Sequence, residues 1–318
     1  MINVSVVVPC YDRLDLLART LRACFGQKAD GGMALPAYEI LVADNHAEQR
    51  AVATIAKLLP ESPVPLRHID AGVRNIARAR NRGVAAVEGS LIAFVDDDEA
   101  PESHWLARLF ACLARTGADA AFGPKYPVWQ SGKPPRWDQE GLYYTTDFGL
   151  PADSEINVLG WRPPRGRGLG TGNSMLRRAT CLPGDQPFDE VLGETGGEDS
   201  DLFFRLARAG RRFVWCPTAA VHEFVEVRRM EPSYMRARLF RSGQHSVQSR
   251  MAVSPHPIRS LLEGVAIGAG QITIHGALAL LTGEIFSHSR VSHRFGIAKG
   301  MGKLSFAASK SFLPDANP

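Results

Sequence analysis

Three short apolar runs, each ending in acidic residues, restrict the fold more than anything else in this chain. Residues 3–8 lead into Pro9-Cys10-Tyr11-Asp12, residues 39–43 close on Asp44, and residues 91–95 stop abruptly at Asp96-Asp97-Asp98-Glu99. Helical periodicity fills the intervals. Leu14, Leu17, Leu21 and Phe25 share one face, as do Ala51, Ile55 and Leu58, and an Ala- and Arg-rich helix is expected from about Asn75 to Val87. A third short strand is expected at residues 66–69, ahead of Gly72. Buried-type strands alternating with helices at this spacing predict an α/β fold, with a mostly parallel sheet covered by helices on both faces. Ligands of such sheets bind at the carboxyl ends of the strands. Tyr11, Asp12, Asp44, Asp96, Asp97 and Asp98 are therefore expected to share one crevice.

The acidic run is the anchor. Like charges on adjacent residues raise each other's pKa and cost stability unless a metal ion or cationic ligand offsets them. Hard oxygen ligands suit Mg2+ or Mn2+, which keep open positions that phosphate oxygens can fill. The alternative is a solvated acidic turn ahead of a helix starting near Pro101, where carboxylates favour the helix N-terminus.

After Gly123 the texture changes, and prolines and tryptophans up to Pro164 mark irregular structure with a mixed or antiparallel edge. Trp161 opens a basic, glycine-containing loop, suited either to closing over a ligand or to lying solvated. Gly170 and Gly172 lack the preceding strand of a dinucleotide fingerprint; close backbone approach explains them better. A helix is expected to begin near residues 197–201, with Leu202, Phe203, Leu206 and Ala209 as its core stripe and Gly210 as its stop. Its acidic start fits caps or a catalytic carboxylate held rigid by the helix. A strand at residues 213–216 is followed by Val221-His222, and a helix over about 231–251 brings Tyr234, Arg238 and Arg241 to one face.

The net charge of +4 hides an asymmetry, since residues 228–310 carry twelve Lys and Arg against three Glu. Such a basic region suits anionic lipid or pyrophosphate. Nucleic acid is not expected as a partner, because no helix-turn-helix, zinc-finger or RNA-binding motif is present. Residues 261–286 are apolar and glycine-rich, and the uncharged stretch 264–283 reaches the roughly 20 residues of a spanning helix. A helix lying on an anionic membrane surface fits its small residues and basic flanks at least as well. Peripheral attachment is therefore expected. The chain divides into an α/β part over residues 1–225 and a basic helical part over 226–318. Its five cysteines form no metal-type pair and their odd number argues against a disulfide framework, which points to a reducing compartment. No signal peptide is expected at a start that reads directly as a strand, so the cytoplasm, at the inner face of the cell membrane, is the expected location.

In order, the pieces Val6-Val7-Val8-Pro9-Cys10-Tyr11-Asp12-Arg13, Asp44, Ala79-Arg80-Asn81-Arg82-Gly83, Phe94-Val95-Asp96-Asp97-Asp98, and Gly197-Glu198-Asp199-Ser200-Asp201-Leu202 with His222 resemble an inverting glycosyltransferase of family 2 with the GT-A fold. The resemblance runs from residue 3 to about 245. Without a Gln-x-x-Arg-Trp motif, it is to the non-processive members that serve polysaccharide assembly. It implies that Pro9 and Tyr11 line a nucleotide pocket, that Asp44 hydrogen-bonds the base, typically uracil, and that Arg80 helps to hold base or diphosphate. Asp96 would contact the ribose side and Asp98 would ligate Mn2+ or Mg2+, with the triple Asp leaving the register open to Asp97. His222 would complete the metal or diphosphate contacts. Asp199 would be the general base, supported by Glu198, and Arg238, Arg241 and Trp161 would touch the leaving group or acceptor. The implied donor is a UDP-hexose; for the acceptor, the basic C-terminal third beside an apolar stretch suggests a glycan on a polyisoprenyl diphosphate. A nucleotidyltransferase of similar fold would need a Gly-rich loop after the first strand, and residues 10–14 contain no glycine. A noncatalytic membrane scaffold is separated from both by an assay of sugar transfer.

Overall fold

The computed structural model describes residues 2–160, 168–281 and 287–306. In chain order its elements are β1 (Val4–Cys10), α1 (Leu14–Phe25), β2 (Tyr38–Asp44), α2 (Ala51–Leu58), β3 (Leu66–Asp70), α3 (Ile76–Ala86), β4 (Leu91–Phe94), β5 (Glu99–Pro101), α4 (Trp105–Thr116), β6 (Ala120–Phe122), β7 (Lys125–Trp129), β8 (Ser174–Arg177), α5 (Arg178–Cys181), α6 (Glu198–Arg208), β9 (Phe213–Trp215), β10 (Val221–Val225), α7 (Pro232–Val253), α8 (Pro257–Leu281) and α9 (Ser287–Leu304). The chain forms two compact units. The first comprises Met1–Val128, Leu142–Gly193 and Leu206–Phe224; the second comprises Trp129–Gly141, Glu194–Arg205 and Val225–Pro318.

Within the first unit, a seven-stranded sheet among the described residues has the order β3-β2-β1-β4-β8-β6-β9. β1, β2, β3 and β4 run parallel, and β6 pairs parallel with β9. Valines at alternate positions of β1, with Ile40 and Val42 of β2, bury one face against Leu17 and Leu21 of α1 and against Trp105, Leu106, Leu109 and Leu113 of α4. Apolar side chains on both faces of a strand are what a doubly covered parallel sheet demands.

Two features depart from expectation. The antiparallel strand is β8, and it sits inside the sheet between β4 and β6 rather than at an edge. The acidic run does not lead straight into a helix at Pro101. Residues 99–101 form β5, which leaves the main sheet to pair antiparallel with β10 in a three-stranded sheet of order β5-β10-β7, and α4 starts only at Trp105. Buried Asn173 joins these parts. Its side chain accepts from Trp105 Nε1 at 2.7 Å and donates to the carbonyls of Pro124 and Ala219 at 2.7 and 2.9 Å.

Within the second unit, α7, α8 and α9 pack together through glycines. A β-carbon on Gly268 of α8 would stand 2.9 Å from the Gly300 carbonyl of α9. Gly243 of α7 abuts the Lys299 backbone, and Gly302 of α9 abuts that of Phe240. Lys303 Nζ donates to Gln271 Oε1 at 3.0 Å, which adds a polar tie between α9 and α8. The opposite side of α8 carries exposed Ile258, Leu262, Ile274, Leu278, Leu280 and Leu281. This is the helix among the described residues that is long and apolar enough to cross a membrane.

Candidate active site

In the first unit, the carboxyl ends of β1, β2 and β4 lie side by side, because β1 pairs in parallel register with both neighbours. Beyond β4 the chain makes a tight turn. Glu99 N donates to the Asp96 carbonyl at 3.0 Å, and Asp96 N donates to Glu99 Oε2 at 3.1 Å. Thr20 Oγ1 on α1 anchors the turn, lying 2.6 Å from the Glu99 carbonyl and 3.0 Å from that of Asp97 with its one proton shared.

The turn sorts its acids. Asp97 points toward β1, where it accepts from Tyr11 N at 3.1 Å and pairs with Arg13, which also pairs with Asp98. Asp96, Asp98 and Glu99 each present a carboxylate oxygen, all within 4.8 Å of one another. Lys125 pairs with Glu99 and lies 3.9 Å from Asp96 Oδ2, while Arg80 Nη2 is 3.5 Å from Asp96 Oδ1. Glu223, opposite Glu99 in the β5–β10 register, adds a further buried acid. Asp97, Asp98 and Glu99 are buried and Asp96 half-buried, so this is no solvated turn.

Burial and charge crowding shift these carboxyls. Burial pushes the Glu99 carboxyl up to about 8, with Asp96, Asp98 and Glu223 adding to the rise against Lys125. Burial also takes Asp97 up to about 6, assisted by Asp98 and opposed by Arg13. The same burial acts on Asp96, but Lys125, Arg80 and Arg13 outweigh it and hold that carboxyl below its usual range.

An all-oxygen donor set of three clustered carboxylates fits a hard divalent cation. Gly172 provides the room. A β-carbon there would stand 2.6 Å from Glu99 Oε1, 2.7 Å from Asp96 Oδ2 and 2.8 Å from Lys125 Nζ, so the close backbone approach expected from the spaced glycines is directed at this cluster.

The remaining residues of this unit stand as follows. Pro9 is buried in β1. The Arg74 guanidinium lies over the Tyr11 ring, 4.7 Å from its centroid, and the His46 ring centroid is 5.4 Å away. Asp44 is buried, with Oδ1 accepting from His46 N at 3.1 Å and Oδ2 from Ala51 N at 2.8 Å, so its carboxylate secures the start of α2. Arg80 is buried on α3, its guanidinium 5.7 Å from the Phe188 ring centroid. His222 differs from expectation. Alternation along β10 turns it away from the side of Glu223 and Glu99, and its Nε2 lies 3.4 Å from Glu102 Oε1. Trp161 lies outside the described residues.

In the second unit, Glu198 and Asp199 open α6 after Gly196 and Gly197, whose φ angles of 83° and 98° are left-handed. Glu198 is buried and Asp199 half-buried, with Asp199 Oδ1 accepting from Ser200 N at 2.7 Å. Arg238 and Arg241 lie half-buried on one face of α7. Arg241 donates to the Thr195 carbonyl at 2.6 Å, and burial lowers its pKa to about 10 against the pull of Tyr234 and Glu198.

Comparison with known proteins places these features in a family. A protein-family model described as "Glycosyl transferase family 2" matches residues 5–179. The "Succinoglycan biosynthesis protein ExoM" of Rhizobium meliloti is 33% identical over 243 residues, covering 76% of this chain and 74% of that protein. Among solved structures, the mannosyltransferase PcManGT from Pyrobaculum calidifontis, in complex with GDP-Man and Mn2+, aligns with a TM-score of 0.58 at 19% identity, over 96% of this chain and 88% of that one. S. aureus TarS 1-349 in complex with UDP-GlcNAc aligns with a TM-score of 0.54 at 14% identity, over 96% and 92%. At such identities the two structures speak for the fold, which is the GT-A arrangement.

Proposed function

The chain belongs to glycosyltransferase family 2, and from that premise we propose that it moves a hexose from a nucleotide sugar, UDP-linked first, to an acceptor hydroxyl with inversion at the anomeric carbon. The observation that carries this reading is the three-carboxylate cluster at the end of β4, opened by Gly172. Held there by Asp96, Asp98 and Glu99, Mn2+ or Mg2+ would supply positive charge to the departing nucleoside diphosphate. Arg80, facing Asp96, adds cationic charge beside it. Tyr11, with Arg74 and His46 against its ring, would line the base's place at the end of β1, and Asp44 supports it by fixing the start of α2. Asp199 takes the proton from the acceptor hydroxyl as it attacks the face opposite the leaving group. A single displacement of this kind converts an α-linked donor into a β-glycoside.

Residues 1–225 carry the nucleotide-sugar chemistry in this reading, and residues 226–318 carry attachment to the inner face of the cell membrane. The likeness to a succinoglycan biosynthesis protein supports exopolysaccharide or other cell-surface glycan synthesis. A glycan on a polyisoprenyl diphosphate is then the acceptor that suits a basic, apolar-edged region. The deciding experiment incubates the protein with UDP- and GDP-hexoses and a lipid-linked glycan. Transfer is expected only with Mn2+ or Mg2+, abolished by EDTA and restored by added cation, with a β-linked product by NMR. No transfer from any donor under these conditions would overturn the reading.

Two further results are expected. Gly172→Ala should leave the fold intact, because the atoms it crowds are side-chain ends, yet weaken cation-dependent donor binding by about tenfold or more, since overpacking costs about 1–3 kcal/mol; titration calorimetry reads both donor and cation. The exposed apolar side of α8 should hold the protein on vesicles of phosphatidylglycerol and phosphatidylethanolamine. Glutamate at both Leu262 and Leu278 should weaken that association by at least about tenfold, because each buried leucine is worth about 1.5–3 kcal/mol. Release of the wild-type protein from membranes by high salt without detergent would rule out a spanning α8.

A further inference from the structure

We propose that His245 and Arg241, one helical turn apart on α7, position the first turn of α6 and thereby the carboxylates of Glu198 and Asp199. The functional consequence rests on Asp199 acting as the base; the positioning itself rests on contacts within the second unit. Arg241 Nη1 donates to the Thr195 carbonyl at 2.6 Å, which ties down the chain just before the helix. Two residues later, a β-carbon on Gly197 would stand 2.8 Å from both Cγ and Nδ1 of His245, so the imidazole lies directly against that backbone. The Gly197 carbonyl accepts from Asp201 N at 2.9 Å, a bond of the first turn of α6. His245 therefore presses on the residue from which the helix starts, and a side chain at position 197 would collide with it as well as strain a φ of 98°.

The character of His245 fits packing rather than charge. It is buried, and burial with Arg241 beside it lowers its pKa to about 4, so the ring is neutral across the physiological range. The negative charge of Glu198 on α6 favours the charged form of Arg241. Arg241 thus acts on the start of α6, a different part from the leaving-group contact expected of it.

A base displaced by about 1 Å can lose about 10^2-fold in rate. His245→Ala is accordingly expected to lower kcat by about tenfold or more with the donor KM unchanged, and His245→Phe, which keeps a flat ring, to restore most of the loss. In an Asp199→Asn background, His245→Ala should change kcat by less than about twofold, because the group it positions is already gone. Hydrogen exchange of the α6 first-turn amides should quicken in His245→Ala while later α6 amides stay as they are. An equal loss of kcat in both backgrounds, or unchanged exchange, would overturn the proposal. If Asp199→Asn turned over like the wild type, the base assignment would fall and the exchange result alone would decide the positioning. Should His245→Ala not fold, Arg241→Lys keeps the charge without the planar fork and is read by the same measurements.

Discussion

Asp98→Ala is expected to reduce transfer by about 10^3-fold, and to remove the Mn2+-dependent part of nucleotide-sugar binding, since a lost electrostatic contact to a departing charge is worth about 10^2–10^3 in rate and the bound cation several kcal/mol more. The metal-free protein should nevertheless melt close to the wild type. Arg13 keeps Asp97 as an ion-pair partner, and the backbone bond from Phe224 N to the Asp98 carbonyl at 2.8 Å is untouched. Glu99, whose carboxyl Asp98 helps to push up to about 8, also loses a repelling neighbour. Activity and stability should therefore separate, as they do where charge is gathered for a ligand rather than for folding. Calorimetry with UDP and Mn2+ makes the comparison, and undiminished affinity in the variant would remove Asp98 from the cation site.

Asp199→Asn should show the complementary pattern. Asn retains an oxygen to accept from Ser200 N, so α6 keeps its start, but it takes up no proton. General-base catalysis contributes about 10^2–10^4-fold, and kcat is expected to fall by that amount. Donor affinity should stay within about twofold, because the proposed donor contacts belong to the carboxylate turn of the first unit. Initial rates at saturating donor measure the first quantity and calorimetry the second; a variant with wild-type turnover would leave the acceptor without its base.

The sequence made the parallel half of the sheet legible because β1, β2 and β4 are buried on both faces and so spell continuous apolar runs. β8 was opaque for the opposite reason. Its four residues pair antiparallel with strands some 50 to 85 positions away, and no local period encodes such a partner. The acidic turn was visible as a charge anomaly, yet Glu99 was not separable from Asp97, since only the turn's hydrogen bonds send one toward the cluster and the other toward Arg13. His222 could have been placed better. The period of two along Val221–Val225 sets it and Glu223 on opposite faces, and Glu223 is the one that joins Glu99. Nothing in the local sequence around Lys125 announces its pairing with Glu99.

The glycine contacts joining α7, α8 and α9 bear on how this region comes into being. Each glycine inside a helix costs about 1 kcal/mol of helix propensity, so segments bearing Gly243, Gly268, Gly300 and Gly302 are poor helices in isolation. They gain order by seating on a neighbour's backbone, which requires that the neighbour be in place. Ribosomal synthesis delivers α9 last of the three, so a chain halted before Ser287 would emerge with two nascent helices that lack the surface completing them, inviting chaperone capture or degradation rather than release as a shorter enzyme.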